Sequence, residues 1–232
     1  MKVVLISGTN HKGSTYSAGR MLAEKVTTPD NIREFFLPRD FDEFCCSCKN
    51  CFGKAADKCP HYEKLRPITE AIDSSDLIIL TSPVYVYHAT GQMKALLDHY
   101  GWRWMVHRPE EKMFGKQAVV VSTAAGAGMK STMKDMADSC FFWGIPKTYR
   151  LGKAVHQVNW NDVSPKIKQE LEKKTDALAQ KIKRRNGKVR PGLKTKAFFS
   201  IMRMIQRTGF SATDHNYWEA KGWLGKKRPW KE

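Results

Sequence analysis

The chain contains no uninterrupted apolar run of about eighteen residues, so no segment of it is built to cross a bilayer as a helix. Its first residues, MKVVLISGTN, carry only the short apolar stretch VVLIS, too brief for the core of an export signal. The sequence therefore predicts a cytoplasmic protein in a reducing compartment. Outside residues 41–60 the only cysteine is Cys140, which makes thiol chemistry a local matter. Two familiar nucleotide fingerprints are also missing. No G-x-G-x-x-G follows the first apolar run, and a Walker A loop fails because Gly13 is followed by Ser14, with Lys12 on the wrong side. Acids are scarce toward the end. From Pro165 onward there are 19 Lys and Arg against 6 Asp and Glu, so this segment holds +13 of the net +17.

What is present reads as alternating strands and helices. VVLIS (Val3–Ser7), IREFFL (Ile32–Leu37), DLIILTSPVYVY (Asp76–Tyr87, a strand running into a Pro-marked loop), QAVVVST (Gln117–Thr123) and a weaker KTYRLGKAVHQ (Lys147–Gln157) predict five strands. The continuous apolar character of the first, third and fourth marks strands buried on both faces. Between them, Tyr16–Val26, Tyr62–Ile72, Gly91–Trp102 and Ser131–Gly144 have helical spacing, and Pro67 suggests a helix that restarts at that residue. A long helix over Ser164–Arg185 follows, with Ser164 as cap and Pro165 at its first position. This order implies an α/β three-layer architecture with a parallel doubly wound sheet, whose ligands bind beyond the carboxyl ends of the strands.

The loop after the first strand, GTNHKGST (Gly8–Thr15), runs straight into a helix. Small and hydroxyl residues there let backbone amides approach a phosphate at the helix amino end. The loop after the third strand holds Ser82-Pro83-Val84-Tyr85, where Pro83 fixes a turn and Tyr85 offers an aromatic face to a heterocycle. The loop after the fourth, STAAGAGMK (Ser122–Lys130), is built of small residues. Each could equally be an ordinary strand-to-helix turn; their occurrence in register makes a shared site the stronger reading.

ISGTNHKGSTYSAGRML and TSPVYVYHATGQMKALLD resemble the phosphate loop and flavin-edge loop of the flavodoxin-like NAD(P)H-dependent FMN reductases. The resemblance covers roughly residues 1–160. It departs from the family pattern at Thr9, Asn10 and His11, where Ser, Pro and Arg are common. It implies a flavodoxin-like domain over 1–185 binding FMN, with Thr9, His11, Gly13, Ser14 and Thr15 at the phosphate and Ser82, Pro83, Val84, Tyr85, Thr123, Ala124 and Gly126 framing the ring. Electrons would pass from NAD(P)H, or from a redox partner, to a quinone-like or other small acceptor. Because the flavin carries the chemistry, no side chain is singled out as catalytic, and His88 and His99 are read as structural or surface groups. A homo-oligomer is the family-level expectation.

FDEFCCSCKNCFGKAADKCP (residues 41–60) holds five of the six cysteines. Cys45, Cys48, Cys51 and Cys59 form a compact four-thiolate set ending Cys-Pro, with Cys46 left over. The iron–sulfur flavoproteins that resemble this chain carry such a motif at this position, which implies a [4Fe–4S] cluster and one-electron transfer. A zinc site and metal-free thiols remain open alternatives, and so does a cluster-bearing carrier with no turnover of its own.

The remaining 186–232 segment predicts a basic helical C-terminal extension, rich in aromatics, docking on the core or on a partner subunit. Contact with a membrane surface is an alternative that the aromatic density does not favour. Nucleic-acid binding is disfavoured, since no reading motif accompanies the charge.

Overall fold

The computed structural model describes residues 1–231; Glu232, the last residue of the expected extension, lies outside them. The apolar run Val3–Ser7 forms β1, buried along its whole length. Helix α1 (Ser14–Val26) starts two residues earlier than its apolar spacing predicts, which places Ser14 and Thr15 in its first turn. Strand β2 (Ile32–Phe36) leads into the cysteine segment, whose only regular pieces are the four-residue helix α2 (Asn50–Gly53) and a 3-10 turn over Ala56–Lys58.

Helix α3 (Tyr62–Ser74) runs without a break through Pro67, where the sequence suggested a restart. The proline withdraws one amide from the carbonyl of Glu63, but Glu63 is exposed and water can serve that carbonyl. Strand β3 (Leu77–Thr81), helix α4 (Gly91–Asp98), strand β4 (Gln117–Ala124) and helix α5 (Met129–Phe142) follow. Strand β5 (Lys147–Ala154) ends three residues short of its expected end, because the chain turns at His156 with φ 61°. Helix α6 (Pro165–Arg185) is capped by Ser164, whose Oγ accepts from the Ile167 amide.

The five strands are all parallel in the order β2-β1-β3-β4-β5. The strand order therefore reverses between β1 and β3, the switch point at which such sheets bind ligands. Helices α3, α4 and α5 cover one face with Ile68, Ile72, Leu96 and Met136, while α1 and α6 cover the other with Leu22, Ala23, Leu171 and Ile182.

Beyond α6 the chain forms α7 (Leu193–Arg207) and α8 (Ala212–Ala220). These helices build a third apolar cluster with the main body, in which Phe199, Trp218 and Trp223 enclose Met105 and Phe114. Burying side chains of this size contributes on the order of 3 kcal/mol each. Phe199, Trp218 and Trp223 of the extension thus pack against the rest of the same chain, while Phe210 stays exposed.

Candidate flavin site and cysteine loop

A cleft of about 270 Å3 opens at the carboxyl ends of β1, β3 and β4. Parallel pairing sets its walls, because Ser7, Thr81 and Val121 lie side by side and the three loops leave the sheet at one level. Thr9, His11, Gly13, Ser14, Thr15, Pro83, Val84, Tyr85, Thr123 and Ala124 all line it. Two expected contacts do not. Ser82 is buried behind the wall, its hydroxyl donating to the Pro83 carbonyl at 2.9 Å and accepting from the Thr90 amide at 3.0 Å. Gly126 is exposed and not among the lining residues.

The first loop is held close to the second. Gly8 donates to the Thr81 carbonyl at 2.7 Å and accepts from the Thr90 hydroxyl at 2.7 Å. A Cβ on Gly8 would lie 2.8 Å from Thr90 Oγ1 and 3.0 Å from the Thr81 oxygen, so only glycine fits this approach. The stretch beyond it is poor in internal bonding. Among the described residues, none of the amides of Thr9, Asn10, His11, Lys12, Gly13 and Thr15 donates to another backbone carbonyl, and α1 begins with no side-chain cap. Unsatisfied amides at a helix amino end attract an anion, and the donor set fits a phosphate.

The sequence reading missed one wall. Val155, His156, Gln157 and Val158, the segment after β5, complete the cleft with Tyr16 and Ala125. The Val158 carbonyl accepts from both the amide and the hydroxyl of Ser14, at 2.9 and 3.0 Å. The signal was available, since this segment too leaves the carboxyl end of a strand.

The opposite rim carries the reverse turn Tyr85–His88, closed by paired backbone bonds of 3.0 and 2.9 Å. Its two central residues, Val86 and Tyr87, have φ of 48° and 64° and point to solvent. A β-branched residue in the left-handed region is strained by about 1–3 kcal/mol. The turn is braced at its end by His88, 3.1 Å from Asp135, and by Ser131, whose hydroxyl donates to the Tyr87 carbonyl.

No cysteine lines the cleft. In the cysteine loop, burial pushes the Cys51 and Cys59 thiols up, and the charges of Cys45 and Cys48 act on both in the same direction. The Asn50 amide pulls Cys48 down. Cys51 and Cys59 are half-buried while Cys45 and Cys48 are exposed, so the four thiols lie in one loop with two on its inner side. A tetrahedral zinc ion would hold its sulfurs about 3.8 Å apart. Among the described residues, the one group of three ligand atoms within 4.8 Å is instead Cys59, His61 and His99. The four cysteines do not form such a close group, so the loop as folded does not present a tetrahedral zinc site.

His99 packs beneath this loop. It is buried, its pKa lowered by burial, with Nδ1 2.7 Å from the Ala95 carbonyl and Nε2 2.9 Å from His61 Nδ1. The bond to Ala95 makes Nδ1 the donor, so His61 donates to Nε2. His99 is thus held between the Ala95 carbonyl and His61, away from the cleft.

Known proteins resemble this chain in sequence and in fold. The chain is 25% identical over 235 residues to an iron–sulfur flavoprotein of Archaeoglobus fulgidus, a match covering 97% of this chain and 100% of that protein. It is 30% identical over 99 residues to an iron–sulfur flavoprotein of Methanocaldococcus jannaschii, covering 42% of this chain and 50% of that one. Among solved structures it is similar to an apo NADH:FMN oxidoreductase, with TM-score 0.54 and 16% identity over 85% of this chain and 98% of the other. It is also similar to the NAD(P)H:quinone oxidoreductase of Methanothermobacter marburgensis, with TM-score 0.57 and 12% identity over 78% and 94%. At these identities the structures speak for a shared flavodoxin-like fold. With residues 1–154 matching the family model of the NADPH-dependent FMN reductases, the chain belongs to that family.

Proposed function

We propose that the cleft binds FMN and that the protein is an FMN-dependent oxidoreductase, passing electrons from NAD(P)H to a quinone-like or other small acceptor. One observation carries the reading: a run of amides without backbone partners, at the start of α1, opens into the same cleft as the Pro83–Tyr85 and Thr123–Ala125 segments. The amides of residues 9–13 and of Thr15, with the hydroxyls of Thr9, Ser14 and Thr15, hold the phosphate. Pro83, Val84 and Tyr85 wall one side of the ring and Thr123 and Ala124 the other. Ser82 braces its loop through Thr90, and Gly126 is left with no role. His156, Gln157 and Val158 join the site as the wall beside Ser14. Bound flavin supplies hydride and single-electron chemistry; the chain binds it, orients it and limits water at the ring.

Cys45, Cys48, Cys51 and Cys59 hold a [4Fe–4S] cluster, with Cys46 outside it. The spacing Cys45-x2-Cys48-x2-Cys51-x7-Cys59, followed by Pro60, and the similarity to iron–sulfur flavoproteins support that reading. The same features support a second one, a carrier reduced by a partner protein without turnover of its own. We further infer a homo-oligomer in a reducing cytoplasm; no helix among the described residues is long and apolar enough to cross a membrane.

The test is a visible spectrum of protein purified without air, followed by NAD(P)H oxidation with a quinone. Flavin bands with steady turnover support the enzyme. Flavin and cluster bands with reduction only by a partner protein support the carrier. Colourless protein that fails to take up added FMN overturns both.

A further inference from the structure

Helix α2 carries Cys51 and has only four residues, entered through Lys49 in the left-handed region at φ 58° and without a side-chain cap. A single turn of this kind is not stable alone, and its last carbonyls need donors. Arg108 supplies them. Its guanidinium donates to the carbonyls of Cys51, of Phe52 at 3.1 Å and of Lys54 at 3.4 Å, while the Thr213 hydroxyl donates to that of Gly53 at 2.9 Å. A cation at a helix carboxyl end is also favoured by the helix dipole.

Arg108 is itself buried, and its charge is balanced from the extension. Asp214, also buried, sits with Oδ1 3.0 Å from Arg108 Nε and Oδ2 2.8 Å from His107 Nδ1. Asp214 lies in the first turn of α8, where Ser211 caps the helix. Trp218 of the same helix donates its indole N–H to the His107 carbonyl at 2.5 Å. The Phe52 ring stands edge-on to His107 at 4.9 Å. A buried arginine without its carboxylate is strongly unfavourable, so the cap on α2 depends on α8 being docked.

We propose that the C-terminal extension positions the cysteine loop for its cluster, with Asp214 holding Arg108 and Arg108 capping the turn that bears Cys51. Asp214 and Arg108 are positioning residues; neither touches the thiols' metal. The proposal rests on the cluster reading, and its test separates the two.

The full chain is purified without air, and iron and FMN per chain are measured, with the rate of iron loss to a chelator and amide exchange over residues 49–54. For Arg108→Gln and Asp214→Asn, iron affinity falls about tenfold or more, the usual cost of losing an outer-shell partner, while FMN stays stoichiometric. Thr213→Val, which leaves the ion pair intact, shifts both readouts in the same direction by less and guards against a variant that fails to fold. Folded Arg108→Gln and Asp214→Asn chains that keep iron at the wild-type rate overturn the proposal. If wild-type protein carries no iron, the cluster reading fails and the exchange data decide the rest. Arg108→Gln must then speed exchange at residues 51–54 about tenfold relative to residues 82–88, and equal rates overturn the positioning role.

Discussion

Thr15 Oγ1 and Thr123 Oγ1 lie 2.6 Å apart, a buried hydrogen bond that joins the first turn of α1 to the end of β4. The two loops proposed for opposite ends of a flavin are thereby tied to each other. Thr15→Val removes a phosphate donor along with this bond. FMN affinity then falls about tenfold, the effect of about 1.4 kcal/mol, whereas riboflavin, which lacks the phosphate, binds almost as before. Titration by flavin fluorescence reads both, and equal losses for the two flavins would place the phosphate elsewhere.

The Val86–Tyr87 turn places a β-branched and a bulky residue at positive φ, where both are disfavoured. Asparagine and glycine accept these angles without strain. The double change Val86→Asn, Tyr87→Gly stabilises the protein by about 1–3 kcal/mol, seen as a rise in Tm. An unchanged or lower Tm would mean that the exposed side chains contribute packing of their own.

Within the cysteine loop, single serine substitutions at Cys45, Cys48, Cys51 and Cys59 each abolish or sharply reduce bound iron, while Cys46→Ser leaves it in place. Iron per chain after purification without air makes the comparison. A Cys46→Ser chain that loses as much iron as the others would redraw the ligand set.

Lys116 is buried at the start of β4, and burial lowers its pKa to about 8, partly opposed by the charges of Asp73 and Asp76. Its folded value lies below the unfolded one of about 10.5, so the unfolded chain holds more protons between these pH values. Stability therefore rises with pH across that window, by at most about 1.4 kcal/mol per pH unit. Denaturant unfolding of wild type and Lys116→Met from pH 7 to 10 checks it: the wild type gains on the variant above pH 8, and parallel curves would refute the shift.

Much of this was legible in one dimension. Buried parallel strands announce themselves as continuous apolar runs, and Val3–Ser7, Leu77–Thr81 and Gln117–Ala124 lie where those runs lie. Ten expected cleft residues do line the cleft because they lie at the carboxyl ends of β1, β3 and β4 or in the loops and helix start that follow. The failures are equally physical. Helices α2 and α8 are too short, or too weakly patterned, for periodicity to mark them. Ser82 carries a residue type suited to a ligand, yet Thr90, eight positions on, takes its hydroxyl. The Arg108–Asp214 pair joins segments nearly half the chain apart, and no local spacing encodes a partner at that distance.

The common level of Ser7, Thr81 and Val121 makes the cleft a property of strand length rather than of loop sequence alone. Removing one residue from β3 would retract the Pro83–Tyr85 wall by about 3.3 Å and exchange the faces that its side chains meet. Substitutions in the three loops can retune the pocket one contact at a time. Insertions and deletions within the strands dismantle its alignment in a single step, so sequence drift here is free to change residue identity but bound to preserve count.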